Sequence, residues 1–240
     1  MRMEELLTVI RKRQSARTPF DSKRPIPNEH VRQILEAARW SPTAHNMQNF
    51  EIVVVEDDRL LAALAAIKGA VSETFIRENF KQLSFSEEEL RKRKVGILAT
   101  MFPPSWRTPG AKREKGSDAE TAGQAGLLQN SSALLVVLYD PARRAPASEG
   151  DFLGIVSLGC VMQSMWLTAY SLGIGFQILS AFSAGNVEGE VRRILGVPAH
   201  LTIAFSARLG YPLSSPAYLR VRREVEDFTH HNRYGNMELG

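Results

Sequence analysis

Between residues 149 and 172 the chain carries charge only at Glu149 and Asp151, and its remaining positions are apolar on nearly every helical face. A helix of that kind is expected to be buried all round, because no side of it suits water. Whatever the chain folds into must therefore wrap this segment. A chain of 240 residues with 44% hydrophobic content is large enough to do so alone. A second copy packed against the first would do so equally well, and burial by itself does not separate the two.

Around this segment the periodicity alternates between helix and strand. Helical spacing is clearest at 3–13, 28–39, 57–68, 118–130, 149–172 and 186–195, and strand-like apolar runs fall at 51–56, 133–139, 175–180 and 200–209. Pro27 and Asn28 mark the start of the second helix, and Ser41-Pro42 stops the chain from continuing helically past Trp40. No Gly/Ser-rich or Pro-rich linker and no internal repeat divides the chain. The expectation is one domain of mixed α/β (α+β) character spanning residues 1–240.

Charge and cysteine usage narrow the function. The formal charge is +4, with basic clusters at Arg11 to Arg17, Arg91 to Lys94, Arg107 to Lys115 and Arg220 to Arg223. Such clusters suit phosphorylated small molecules better than they demand a nucleic acid. Cys160 is the single cysteine, so no intramolecular disulfide is possible, and its apolar neighbours predict a buried thiol in a reducing compartment. The N-terminus lacks the apolar stretch of a signal peptide, and no run of 18 uncharged apolar residues is expected to span a bilayer. A cytoplasmic protein is expected. No histidine or cysteine has metal-ligand spacing, and no Gly-x-Gly-x-x-Gly follows a strand.

Two short motifs carry the chemistry. Arg13-Gln14-Ser15-Ala16-Arg17 follows the first helix, and in an extended stretch Arg13, Ser15 and Arg17 point the same way, forming an anion seat. About thirty residues later, Ser41-Pro42-Thr43-Ala44-His45-Asn46-Met47-Gln48-Asn49-Phe50 leads into the strand Glu51-Ile52-Val53-Val54-Val55. Each has a plainer alternative: a basic helix end favoured near the C-terminus of a helix, and an ordinary polar turn. His45 is read as structural or solvated.

In this order and spacing the chain resembles the nitroreductase family of flavin enzymes. The resemblance extends through Ser171-Leu172-Gly173-Ile174-Gly175, Arg208-Leu209-Gly210-Tyr211-Pro212 and Arg220-Val221-Arg222-Arg223, and is weakest at 70–117. It implies a central, mostly antiparallel sheet flanked by helices, in an intertwined homodimer whose long central helices pack across the two-fold axis. It also implies bound FMN at the subunit interface. Arg13, Gln14 and Ser15 would hold the phosphate and ribityl chain, and Arg17 would lie along the N1 and C2-carbonyl edge, where a fixed cation favours the reduced ring. Pro42, Thr43, Ala44 and Asn46 would reach the flavin of the partner. Ser180 and Ala181 would present a backbone N–H toward N5, the plain alternative being a buried strand end, and Arg220 and Arg222 would return to the phosphate.

The chain departs from the commoner family form at Thr43, at Asn49-Phe50 and at Ser180-Ala181, where serine, proline-tryptophan and glutamate-glycine are usual. The backbone donor at Ala181 survives the exchange, since any residue but proline supplies one. The implied activity is hydride transfer from NADH or NADPH through flavin N5 to a nitroaromatic, quinone or similar acceptor, by a ping-pong mechanism. No side chain is expected to serve as catalytic acid or base. Two alternatives stay open: a specialised flavin enzyme of the same fold, dehalogenating reductively or cleaving flavin, and a non-catalytic flavin binder. Residues 70–117 would form either a variable lid over the ring or a peripheral helical hairpin.

Overall fold

A computed structural model describes residues 3–67, 85–96, 128, 130–146, 148, 150–183, 185–214 and 219–237. Backbone contacts divide the chain into two compact units, Met1–Gly69 with Glu120–Ser215, and Ala70–Ala119 with Pro216–Gly240. The first unit holds α1 (Met3–Lys12), α2 (Asn28–Arg39), β1 (Phe50–Val55), α3 (Asp58–Ala65), β2 (Ala133–Tyr139), α5 (Phe152–Ser171), β3 (Gly175–Leu179), α6 (Gly185–Leu195) and β4 (Thr202–Gly210). The second holds α4 (Glu87–Arg93), begun by a capping box between Ser86 and Glu89. In that unit Lys94 also pairs with Asp227. The expected helix at 118–130 and most of the 70–117 segment lie outside the described residues.

The four strands form one sheet in the order β1-β2-β4-β3, every pair antiparallel. Alternation along β2 sends Ala133, Leu135 and Val137 to one face and Leu134, Val136 and Leu138 to the other. On the first face lie Val31, Ile34 and Ala38 of α2 with Leu158, Val161, Met165 and Ala169 of α5. On the second lie Leu61 and Leu64 of α3 with Val187 and Val191 of α6. The result is a helix layer on each side of the sheet. A bulge shifts the β2–β4 register between Val137 and Leu138, so that Val137 meets Phe205 and Leu138 meets Ile203. The extra residue, Ala204, lets Ile203 and Phe205 serve opposite faces although they are two positions apart.

Within the chain, α5 is covered on one side only. Ser157, Leu158, Val161, Met165, Trp166 and Ala169 are buried, whereas Phe152 is 70% and Ile155 57% exposed, with Leu153 and Val156 also open. The single chain alone therefore does not bury the helix all round: the sheet and α2 line one stripe of it. The uncharged run Phe152–Ser171 is also long and apolar enough to cross a membrane by length and composition, which corrects the expectation that no such run exists. Cys160 is half-buried, more open than its apolar neighbours predicted.

The segment after α1 closes one end of the sheet. Phe20 forms a bridge with Pro212, Asp21 N–H donates to Tyr211 O and Leu213 N–H to Pro19 O. Phe20 is 1% exposed because its ring lies across Gly175 and Gly210, which are register partners on β3 and β4. A Cβ on Gly210 would stand 2.4 Å from the Phe20 ring, and one on Gly175 would stand 2.7 Å from it. Both positions therefore need a residue without a side chain.

Gly210→Ala should destabilise the fold by about 1–3 kcal/mol through overpacking, read as a lower urea midpoint. Phe20→Ala should cost about 3–5 kcal/mol. In the Phe20→Ala background the Gly210→Ala change should cost less, since only the Cβ of residue 20, 2.7 Å away, remains of its three close contacts, a non-additivity expected of atoms in direct contact; additive losses would show that the two do not share one packing site.

Candidate functional site

The seat at 13–17 is built by its attachment to the sheet. Arg13 N–H closes the last turn of α1 on Val9 O, and Ala16 N–H donates to Phe176 O on β3 at 3.1 Å. Arg17 N–H turns back to Ser15 O at 3.1 Å, a three-residue turn centred on Ala16. This corrects the expectation of a straight extended run, so the simple alternation of Ser15 and Arg17 does not hold. The turn arises because Ala16 is buried and its N–H is claimed by β3, the edge strand.

Arg13, Gln14, Ser15 and Arg17 are all half-buried. The Arg13 guanidinium lies 4.1 Å above the Trp166 ring, a contact worth about 0.5–2 kcal/mol. Trp166 in turn stacks on Phe176 at 5.4 Å and donates its indole N–H to Gln14 O. One aromatic pair thus holds both the side chain of Arg13 and the backbone beside it.

Beneath the turn sits Arg208 of β4, 2% exposed. Its Nε donates to Gln177 Oε1 at 2.8 Å, and one terminal nitrogen donates to both Ala16 O, at 3.2 Å, and Thr18 O, at 2.9 Å. The guanidinium also lies 4.2 Å from the Phe20 ring centre. Burial pushes its pKa down to about 10, which leaves it charged at neutral pH. Sequence reasoning quoted Arg208 only within a motif and gave it no role. A single charge inside the apolar run 200–209 was the available signal, because a buried cation must find partners.

The loop at 42–46 is held elsewhere. Ala44 N–H donates to the buried Ser157 Oγ on α5, which donates onward to Leu153 O. Thr43 Oγ1 accepts from Gln48 N–H, and Gln48 Nε2 donates to Asn46 Oδ1 at 3.2 Å. His45, Asn46 and Gln48 all have positive φ, at 48°, 52° and 44°, a region that residues other than glycine and asparagine seldom occupy. Asn49 is buried and donates to Arg143 O, and Arg143 donates to Met47 O. Close by, Tyr139 donates to Asp151, and burial together with that carboxylate raises the phenol's pKa. Pro42 and Asn46 are exposed, Thr43 and Ala44 half-buried.

The seat and the loop therefore meet α5 at different stations, Trp166 and Ser157, about 13 Å apart along the axis at 1.5 Å per residue. Ser180 and Ala181 begin the helical turn Ser180–Ser183 just past the end of β3, about 13 Å from Phe176 by strand rise. Ser180 is exposed and Ala181 half-buried, so the plain alternative of a buried strand end does not describe them. Arg220 and Arg222 are exposed and belong to the second compact unit. There Arg222 donates to Val221 O, and Arg223 lies over Phe228. Among the described residues no cluster of three or more His, Cys, Asp or Glu side chains could hold a metal.

This arrangement matches known proteins over most of its length. The family model described as "Nitroreductase family" matches residues 10–211. A protein of Thermus thermophilus named NADH dehydrogenase is 30% identical over 190 residues, covering 79% of each chain. One of Vibrio harveyi, named NADPH-flavin oxidoreductase, is 27% identical over 129 residues, covering 50% of this chain and 52% of its own. Among solved structures, a nitroreductase with bound FMN from Desulfitobacterium hafniense superposes with a TM-score of 0.59. It is 23% identical, over 97% of this chain and all of that one. The helix-flanked antiparallel sheet is the nitroreductase fold, and the chain belongs to the nitroreductase family.

Proposed function

We propose that the protein is a cytoplasmic, homodimeric, FMN-dependent oxidoreductase that uses NADH or NADPH to reduce a nitroaromatic, a quinone or a similar flat acceptor. The observation that carries this reading is the seat itself. Arg13, Ser15 and Arg17 are half-buried on the sheet end with Arg208 beneath them, and the Arg13 guanidinium is held over Trp166. A phosphate monoester with a polar ring edge fits that donor set. Names borne by the Vibrio harveyi and Desulfitobacterium hafniense relatives, NADPH-flavin oxidoreductase and nitroreductase with bound FMN, support the same cofactor.

FMN supplies two-electron hydride chemistry at N5, with donor and acceptor using one open face in turn. The chain's own residues bind and orient. Arg13, fixed by Trp166, and Ser15 would hold the phosphate and ribityl groups beside Gln14, whose carbonyl accepts from the Trp166 indole. Arg17 would face the N1 and C2-carbonyl edge and favour the reduced state electrostatically. The N–H groups at Ser180 and Ala181 serve the N5 side. The assignment of Arg220 and Arg222 as further phosphate ligands rests on the resemblance of Arg220-Val221-Arg222 alone, since the family match ends at residue 211.

A second copy completes the site. Met3, Leu6, Leu7 and Ile10 form an i, i+3, i+4, i+7 stripe on α1 that is exposed in the single chain, as is the Phe152–Ile155 side of α5. Covering both explains how a helix apolar on every face is tolerated in water. It also brings Pro42, Thr43, Ala44 and Asn46, held at the Ser157 station, to the flavin of the neighbouring subunit.

The purified protein should be yellow, or turn so with added FMN, and bleach on anaerobic addition of NADPH; a protein that stays colourless with FMN would refute the reading. Arg13→Ala should weaken FMN binding about ten- to hundredfold through loss of a charge-assisted contact, measured by fluorescence titration. Ile155→Glu should give monomers in sedimentation and lose flavin with them. A dimer that keeps its FMN after that change would place the subunit contact elsewhere.

A further inference from the structure

Arg208 is the most heavily buried charge described in this fold, and the ion pairs among the described residues leave it out. Taking a cation out of water without a carboxylate partner is costly, and a methionine or leucine would fill the same space without that cost. What an arginine offers there is its fork of donors. Nε is fixed by Gln177 Oε1 on the neighbouring strand, and one terminal nitrogen spans Ala16 O and Thr18 O. Those carbonyls bracket residue 17: one belongs to the peptide that enters Arg17, the other lies one residue beyond it. With Arg17 N–H also tied to Ser15 O, the backbone at residue 17 is held on both sides.

We propose that Arg208 is a positioning residue for Arg17: by gripping the carbonyls of Ala16 and Thr18 it fixes the point from which the Arg17 guanidinium is delivered to a flavin bound in the seat. The inference rests on the FMN reading above and adds to it a residue with no direct contact to the cofactor. The same grip adds to the Ala16–Phe176 hydrogen bond in holding the turn at Ala16 closed. Pre-set geometry of this kind gives an electrostatic contact its full effect, because no reorganisation is needed on binding.

A double-mutant cycle read by flavin potentiometry and FMN titration tests this, using wild type, Arg17→Ala, Arg208→Lys and the double variant. Lysine keeps the charge but lacks the planar fork that holds Gln177 and both carbonyls together. Arg17→Ala should lower the preference for reduced over oxidised FMN about tenfold, or about 30 mV for a two-electron couple. Arg208→Lys should lower it about threefold to tenfold, and should add nothing in the Arg17→Ala background. An Arg208→Lys shift that persists undiminished without Arg17, or no shift at all in a variant that binds FMN, overturns the positioning role and leaves the FMN reading intact. Failure of the wild type to bind FMN overturns both. Should Arg208→Lys not fold, Gln177→Met removes only the acceptor on Nε. It should shift the potential in the same direction, and only when Arg17 is present; an unchanged potential overturns the role.

Discussion

The seat at 13–17 is referred to the place where Phe20 lies across two glycines. Gly175 and Gly210 face each other on β3 and β4, and the absence of two side chains leaves a flat patch at the sheet end. The N-terminal segment settles there, and the Ala16–Phe176 and Asp21–Tyr211 hydrogen bonds and the Phe20–Pro212 bridge are made around it. Once Phe20 is down, Arg208 has carbonyls to hold and a ring to lie against. Without that docking, the basic pentapeptide would be a solvated helix end.

α5 organises the chain at a larger scale. One stripe packs on the sheet and α2 and forms the central core. A second stripe is open in the single chain. Along its length the helix also supplies two attachment points, Trp166 for the seat and Ser157 for the 42–46 loop. A single element thus links the core, the open apolar surface and both halves of the site, which is why its low charge and length dominate the sequence.

Much of the fold was legible locally. The runs at 133–139 and 175–180 became β2 and β3 within one residue, because they are apolar stretches bounded by turn-forming residues, and α2 began and ended where Pro27 and Ser41-Pro42 placed it. Contacts distant in sequence were not legible. Nothing around Phe20 announces that residues 155 and 190 positions away will make room for it. The turn at Ala16 was missed because Phe176 competes for its N–H, and the exposure of α5 was not legible because composition reports what a helix requires, not what a single chain provides. Arg208 lay between these cases, conspicuous as a charge in an apolar strand and silent about its partners.

The 13 Å that separates the two attachment points on α5 bears on genetics as much as on structure. On the proposed arrangement each centre takes its basic segment from one protomer and its polar loop from the other. A lesion in either segment then damages both centres of a uniform dimer, yet lesions in different segments are not equivalent when protomers mix. Pairing a chain faulty in the basic segment with one faulty in the loop gives one centre with both faults and one assembled wholly from sound parts. Two inactive alleles can thereby restore up to half the activity in each mixed dimer, or about a quarter overall when the two chains pair at random.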